Sequence, residues 1–122
     1  MGKVTGRRVI GRMVPEMLVI GTTHPTDVVH VKVAAGQEPM ERGTVLAENE
    51  SGECCILGTE GCRAAYILAE DVEEGGESAV MAEAYRCGDF NRGALKVKTG
   101  YEITSEDERE LRYGGIYLGS VM

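Results

Sequence analysis

The stretch YRCGDFNRGAL, residues 85–95, gathers Arg86, Cys87, Asp89 and Asn91 around Gly88 and Gly93. A charged pair, a thiol and an amide between glycines suit an active-site loop, a ligand cradle, or a corner where a strand ends. The stretch alone does not choose among them. The other residues able to do chemistry are sparse. The histidines are His24, which precedes Pro25, and His30, and neither stands at chelating distance from a Cys or another His. Ser51, Ser78, Ser105 and Ser120 all lie outside a G-x-S-x-G elbow. The chain has 17 glycines but neither G-x-x-x-x-G-K-[ST] nor G-x-G-x-x-G. GGIYLG follows a helical pattern instead of opening one, the wrong context for a phosphate cradle.

Metal chemistry is weakly signalled. Cys54 and Cys55 are adjacent, so in a strand they point to opposite faces. With Cys62 and Cys87 they form no CxxC pair of the kind that anchors tetrahedral zinc. We expect four reduced thiols acting as small hydrophobes, with no disulfide framework in a chain lacking a secretion signal. The acidic run EDVEEGGE (Glu70, Asp71, Glu73, Glu74, Glu77) lacks the alternating ligand order of an EF-hand and reads as a solvated hairpin tip. No catalytic motif and no cofactor site is expected.

The elements that position these residues are mostly β. In VVHVKV, Val29, Val31 and Val33 share one face while His30 and Lys32 share the other. AAGQEP turns the chain. RGTVLAEN and ECCILGTE flank ESG, a hairpin turn in which Gly52 supplies positive φ. AAYILAEDV and SAVMAEAYRC flank EEGGES, a tight hairpin with a Gly75-Gly76 pair. A corner at DFNRGAL, a brief strand LKVK, a helix over TSEDERELRYGG and a closing strand GIYLGSVM follow. Ser105 with Glu108 makes a capping-box pattern, and Gly114 stands where a left-handed cap would end the helix. The expected fold is mainly β (α+β): a compact barrel-like domain over 28–122, with one or two short helices and an extended N-terminal arm over 1–27.

Charge separates arm from body. Lys3, Arg7, Arg8 and Arg12 give the first twelve residues +4 with no acid among them. Set against the total of −7, that leaves −11 on the remainder, an acidic body unsuited to direct nucleic-acid binding. A basic arm carrying MVPEMLVIG reads as a docking tail. Arg12 and Glu16 interrupt what would be the core of a signal peptide. No run approaches the ~20 apolar residues of a membrane span, so we expect a cytosolic chain without a membrane partner. With no Trp and one Phe among 122 residues the core is thin, and open strand edges would gain from self-association.

From about Val28 to Met122 the order of segments resembles the head decoration (capsid-stabilising) proteins of lambda-type tailed bacteriophages. The resemblance rests on VKVAAGQEPMERGTVLAE, on AAYILAEDVEEGGESAVMAEAYRCGDFNRGAL, and on a short charged helix running into LRYGGIYL. It implies a non-enzymatic homotrimer with a β-tulip body. Such a trimer would bind the major capsid protein at three-fold and quasi-three-fold sites on the outer surface of an expanded head. The localisation implied is the virion, after assembly in the host cytoplasm, and the role is reinforcement against DNA pressure. In that setting GDFNRGAL is a structural corner: Gly88 ends the strand, Phe90 packs inward and Asn91 starts a short helical turn. Capsid attachment falls to the arm, through Arg7, Arg8, Arg12, Met13, Val14, Met17 and Leu18. This arm is more basic than the family pattern, and its docking residues do not carry over. The competing readings are a small cytosolic metal- or ligand-binding module using Cys54, Cys62, Cys87 and His30, and an enzyme whose site forms between subunits.

Overall fold

The computed structural model describes residues 18–20, 26–73 and 78–119. Six strands follow in chain order: β1 (Asp27–Val33), β2 (Val45–Glu48), β3 (Cys54–Ile56), β4 (Arg63–Leu68), β5 (Val80–Asn91) and β6 (Ile116–Gly119). A 3-10 turn, Arg92–Ala94, follows β5, and one α-helix, α1 (Ser105–Tyr113), precedes β6. The strands run β1-β3-β2-β4-β5 and β5 pairs back onto β1, closing a five-stranded barrel. β6 lies outside that ring, parallel to the last four residues of β5.

The alternation read in VVHVKV holds. Val31 and Val33 are buried, whereas His30 and Lys32 are exposed. They meet Leu46, Cys54, Leu68, Ala82 and Ala84 in one apolar cluster, which strand alternation places inside the barrel. A second cluster covers the other face of the β2–β4 wall. There Val45, Ala47, Ala64 and Ile67 pack beneath Leu18, Phe90, Leu111 and Ile116. A bulge in β4 keeps this pattern in step: Leu46 faces Tyr66 and Ala47 faces Ala64, so Ala65 is the extra residue. Val45, Leu46 and Ala47 therefore have no solvent exposure at all. Apolar neighbours on both faces explain why β2 is a continuous apolar run.

Several expectations shift. The barrel closes, which shortens the open edges without removing them: β1 meets β3 at Val33 alone, and β4 meets β5 only at Ile67 and Leu68. LKVK is not a strand: Lys96 makes a single parallel bridge to Thr44. The helix cap lies one residue earlier than the Ser105/Glu108 pattern. Thr104 accepts from the Asp107 N–H at 3.0 Å and the Asp107 carboxylate accepts from the Thr104 N–H at 3.0 Å. Both positions offer a hydroxyl and an acid, and Tyr101 decides for the first by donating to the same Asp107 oxygen. At the other end Gly114 stays right-handed and Gly115 adopts φ +102°. Gly52 does take positive φ, at +82°. The EEGGES tip falls at residues 74–77, outside the described residues.

Gly88 does not end its strand. β5 runs on through Asn91, and Gly88 marks where the strand changes partners, from Asp27 opposite Cys87 to Ile116 opposite Gly88 itself. Phe90 packs inward as expected, with 0% exposure, its ring 5.2 Å from that of Tyr85. Asn91 caps the 3-10 turn by accepting from the Gly93 N–H at 3.0 Å. Replacing Phe90 by Ala should therefore cost about 3–5 kcal/mol in urea unfolding. Arg92 is exposed but ion-paired with Glu108, its Nε–Oε1 distance 2.7 Å. Arg92→Glu should thus cost about 1 kcal/mol and not nothing. A Phe90→Ala protein as stable as wild type would refute the corner.

Candidate functional site

Three residues assigned to the arm pack on the body. Leu18–Ile20 lie antiparallel to the end of β5, with Val19 bridged to Phe90. The Asn91 N–H donates to the Leu18 carbonyl at 2.8 Å, and the Ile20 N–H donates to the Asp89 carbonyl at 3.0 Å. β6 flanks these three β5 residues, and Gly88 before them, on their other side. Leu18 is 5% exposed and belongs to the cluster around Phe90. Its expected role as a capsid contact does not fit that position: the side chain fills the core, and a partner cannot reach it. Arg7, Arg8, Arg12, Met13, Val14 and Met17 lie outside the described residues.

The seat is shaped by a glycine. Gly88 has φ +139°, and a Cβ there would stand 2.9 Å from Thr26 Oγ1 and 3.1 Å from the Phe90 ring. Only a residue without a side chain leaves room there for both Thr26 and the Phe90 ring. Just before it, Asp27 faces Cys87 and Val28 faces Tyr85, which leaves Arg86 as the bulged residue. Its guanidinium is then free to turn onto Asp27, with Nε–Oδ2 at 3.0 Å and Nη2–Oδ2 at 2.5 Å. These hydrogen bonds, and the guanidinium charge, hold the Asp27 carboxyl below its ordinary value and raise Arg86. Arg86 and Asp89 of YRCGDFNRGAL thus serve the strand's geometry, Arg86 through its side chain and Asp89 through its carbonyl.

The residues of the alternative metal site are not brought together. Cys54 lies in the barrel interior, Cys62 packs on the outer cluster, Cys87 lies under Gly115, and His30 is exposed opposite Glu83. Among the described residues no three His, Cys, Asp or Glu side chains are arranged to hold a metal. All four cysteines are free thiols. Burial pushes Cys54 up to about 12 and Cys55 up to about 11. Sequence reading missed one meeting: the sulfurs of Cys55 and Cys62 are 2.8 Å apart. The signal available was a pair of cysteines flanking the glycine-rich turn LGTEG.

Two open grooves mark the surface. One, of about 360 Å³, runs past Glu48, Arg63, Tyr66, Arg86 and Glu110. Its guanidiniums are engaged, Arg86 by Asp27 and Arg63 by Glu110 at 3.9 Å. The other, of about 470 Å³, is lined by Gln37, Met40, Thr44, Ile56, Lys96 and Lys98 and holds neither thiol nor imidazole. Among the described residues no helix is long and apolar enough to cross a membrane.

Leu18→Ala should cost about 2–5 kcal/mol in chemical denaturation, whereas removal of residues 1–17 should leave the melting midpoint nearly unchanged. Gly88→Ala should destabilise by about 1–3 kcal/mol through its strained φ, plus whatever the Thr26 clash adds. The Asp27–Arg86 pair stabilises fully above a pH of about 4, the ordinary carboxylate range. That contribution is lost as pH falls through the lowered Asp27 value. Acid titration of Asp27→Asn should show a correspondingly flatter loss of stability, and an unchanged acid limb would exclude the pair as a contributor.

Comparison with models of known protein families finds no match, and comparison with curated proteins finds none either.

Proposed function

We propose that the chain is a non-enzymatic decoration protein of a tailed-phage head. In this reading it binds as a homotrimer to the outer capsid surface, at three-fold and quasi-three-fold sites, and braces the major capsid protein against internal DNA pressure. The trimeric β-tulip arrangement belongs to the same proposal. The observation that carries it is the seat of Leu18–Ile20. Residues 1–17, which hold all four basic residues of the first twelve, directly precede a point fixed to the body by two backbone hydrogen bonds and a buried leucine. An arm rooted in this way can pair as an added strand with a partner sheet, drawing affinity from main-chain hydrogen bonds. Three such arms on one trimer act at high effective concentration. The segment resemblance to head decoration proteins supplies the partner.

The closed barrel changes where subunits would meet. Contacts between copies can use side-chain faces as well as the short edges that the ring leaves without a ladder partner, such as residues 27–32 of β1. Met81 and Tyr113, 62% and 80% exposed, are apolar candidates for such faces.

Size exclusion with light scattering should give about three times 13.1 kDa. Electron microscopy of expanded capsids should show added density at three-fold positions with the full-length protein, and none after deletion of residues 1–17. Neutralising Arg7, Arg8 and Arg12 should weaken binding chiefly at low salt, because exposed charges are screened beyond a Debye length of about 8 Å at physiological ionic strength. A truncated protein that still saturates capsids at the wild-type concentration places attachment on the body and overturns the role of the arm.

A further inference from the structure

The cysteines fall into two kinds. Cys54 faces the barrel interior at 1% exposure, and Cys87 lies against Gly115, each without another thiol. Cys55 and Cys62 face each other across the turn from β3 to β4, sulfurs 2.8 Å apart. A disulfide needs about 2.05 Å, so the two sulfurs have less than ~1 Å to travel. Their other contacts are weak: Cys55 Sγ approaches the Ala47 carbonyl at 3.6 Å and Cys62 Sγ the Glu60 carbonyl at 3.8 Å. Cys55 is 4% exposed and Cys62 is half-buried, so one member meets solvent while the other waits behind it.

We propose that Cys55 and Cys62 are a modification site, closing to an intrachain disulfide that braces the β3–β4 turn when the protein meets a peroxide or a low-molecular-weight disulfide. The accessible thiol reacts first. With hydrogen peroxide, the Cys62 thiolate breaks the O–O bond, taking one oxygen as a sulfenic acid while the other leaves as water. The Cys55 thiolate then attacks that sulfur, the S–S bond forms, and a second water departs. In total two thiols give up two electrons and two protons to one peroxide. With glutathione disulfide, Cys62 forms the mixed disulfide and releases one glutathione, and Cys55 displaces the second. Burial and the neighbouring Cys62 raise the Cys55 thiol to about 11, so its step accelerates as pH rises. Adjacent Cys54 cannot substitute, because it points to the other side of the sheet. The reduced state expected from the sequence is then a property of reducing surroundings and not of these two thiols. The inference is independent of the capsid reading.

The test uses the full-length protein, reduced and then exposed to glutathione disulfide or dilute hydrogen peroxide at mildly alkaline pH. Its mass should fall by about 2 Da, the two hydrogens lost in forming one bond. Two of its four alkylatable thiols should disappear. Cleavage after Glu53, Glu60 and Glu70 should release residues 54–60 joined to residues 61–70, and reductant should part them. Cys54→Ala should keep this link and Cys55→Ala should lose it. Should Cys55→Ala fail to fold, Cys62→Ala, altered at the half-buried member, should lose the link instead. Oxidation should raise the melting midpoint by roughly 5 °C. A wild-type protein that keeps all four thiols, or a link that depends on Cys54, overturns the site. An oxidised protein melting no higher than the reduced one overturns its bracing role.

Discussion

β5 must serve two sheets with one continuous backbone, and the rest of the structure depends on how it passes from one to the other. Its first eight residues close the barrel against β1 and β4. Its last four form the middle of a smaller layer, with β6 on one side and Leu18–Ile20 on the other. A strand cannot change partners without twisting, and the twist is supplied in two adjacent steps. The Arg86 bulge adds a residue, and Gly88 admits Thr26 and the Phe90 ring where any side chain would collide. Phe90 then fills the space beneath. In a chain with one phenylalanine and no tryptophan, that phenylalanine, the largest fully buried side chain among the described residues, is placed where the two layers join.

The thinness of the core is offset by its arrangement. A small barrel of Val, Leu, Ala and Cys has little room inside, and two alanines of β5 face that interior. The outer face of β2 and β4 gives the domain a second apolar layer without a larger barrel. The cover on that face is assembled from remote pieces: Leu18 from before β1, Phe90 from β5, Leu111 from α1 and Ile116 from β6. Ion pairs on the described surface tie remote segments together, as in Arg86 with Asp27 and Arg92 with Glu108.

What could be read in the sequence was local, and what could not was remote. Alternation in VVHVKV and the hairpin at Gly52 depend on near neighbours, so they were legible. The helix was legible for the same reason, but its start slipped by one because Thr104-Ser105 and Asp107-Glu108 each offer two caps. Tyr101, outside the pattern, selects between them. Gly88 reads as a stop because glycine usually interrupts a strand. It is instead a crossing point, since β6, whose pairing begins opposite it, lies 28 residues further on. Leu18 reads as part of a tail because Pro15 and Pro25 bracket it, and the strand that seats it is some seventy residues away. Cys55 and Cys62 evade motif reading because a turn, not a fixed spacing, brings them together.

The helix α1 touches the core through one fully buried side chain, Leu111, and is otherwise held by its cap and by pairs at its rim. Such an element can lift away while the barrel stays closed. Its amides would then exchange with solvent through a partial opening, at a free energy well below that for unfolding the β1–β5 ladder. Opening would also bare Ile67 and Ala64, which α1 and β6 help to cover. Beside the ring of strands the domain therefore carries a helix anchored at one buried residue, and amide exchange would tell whether the two open together or apart.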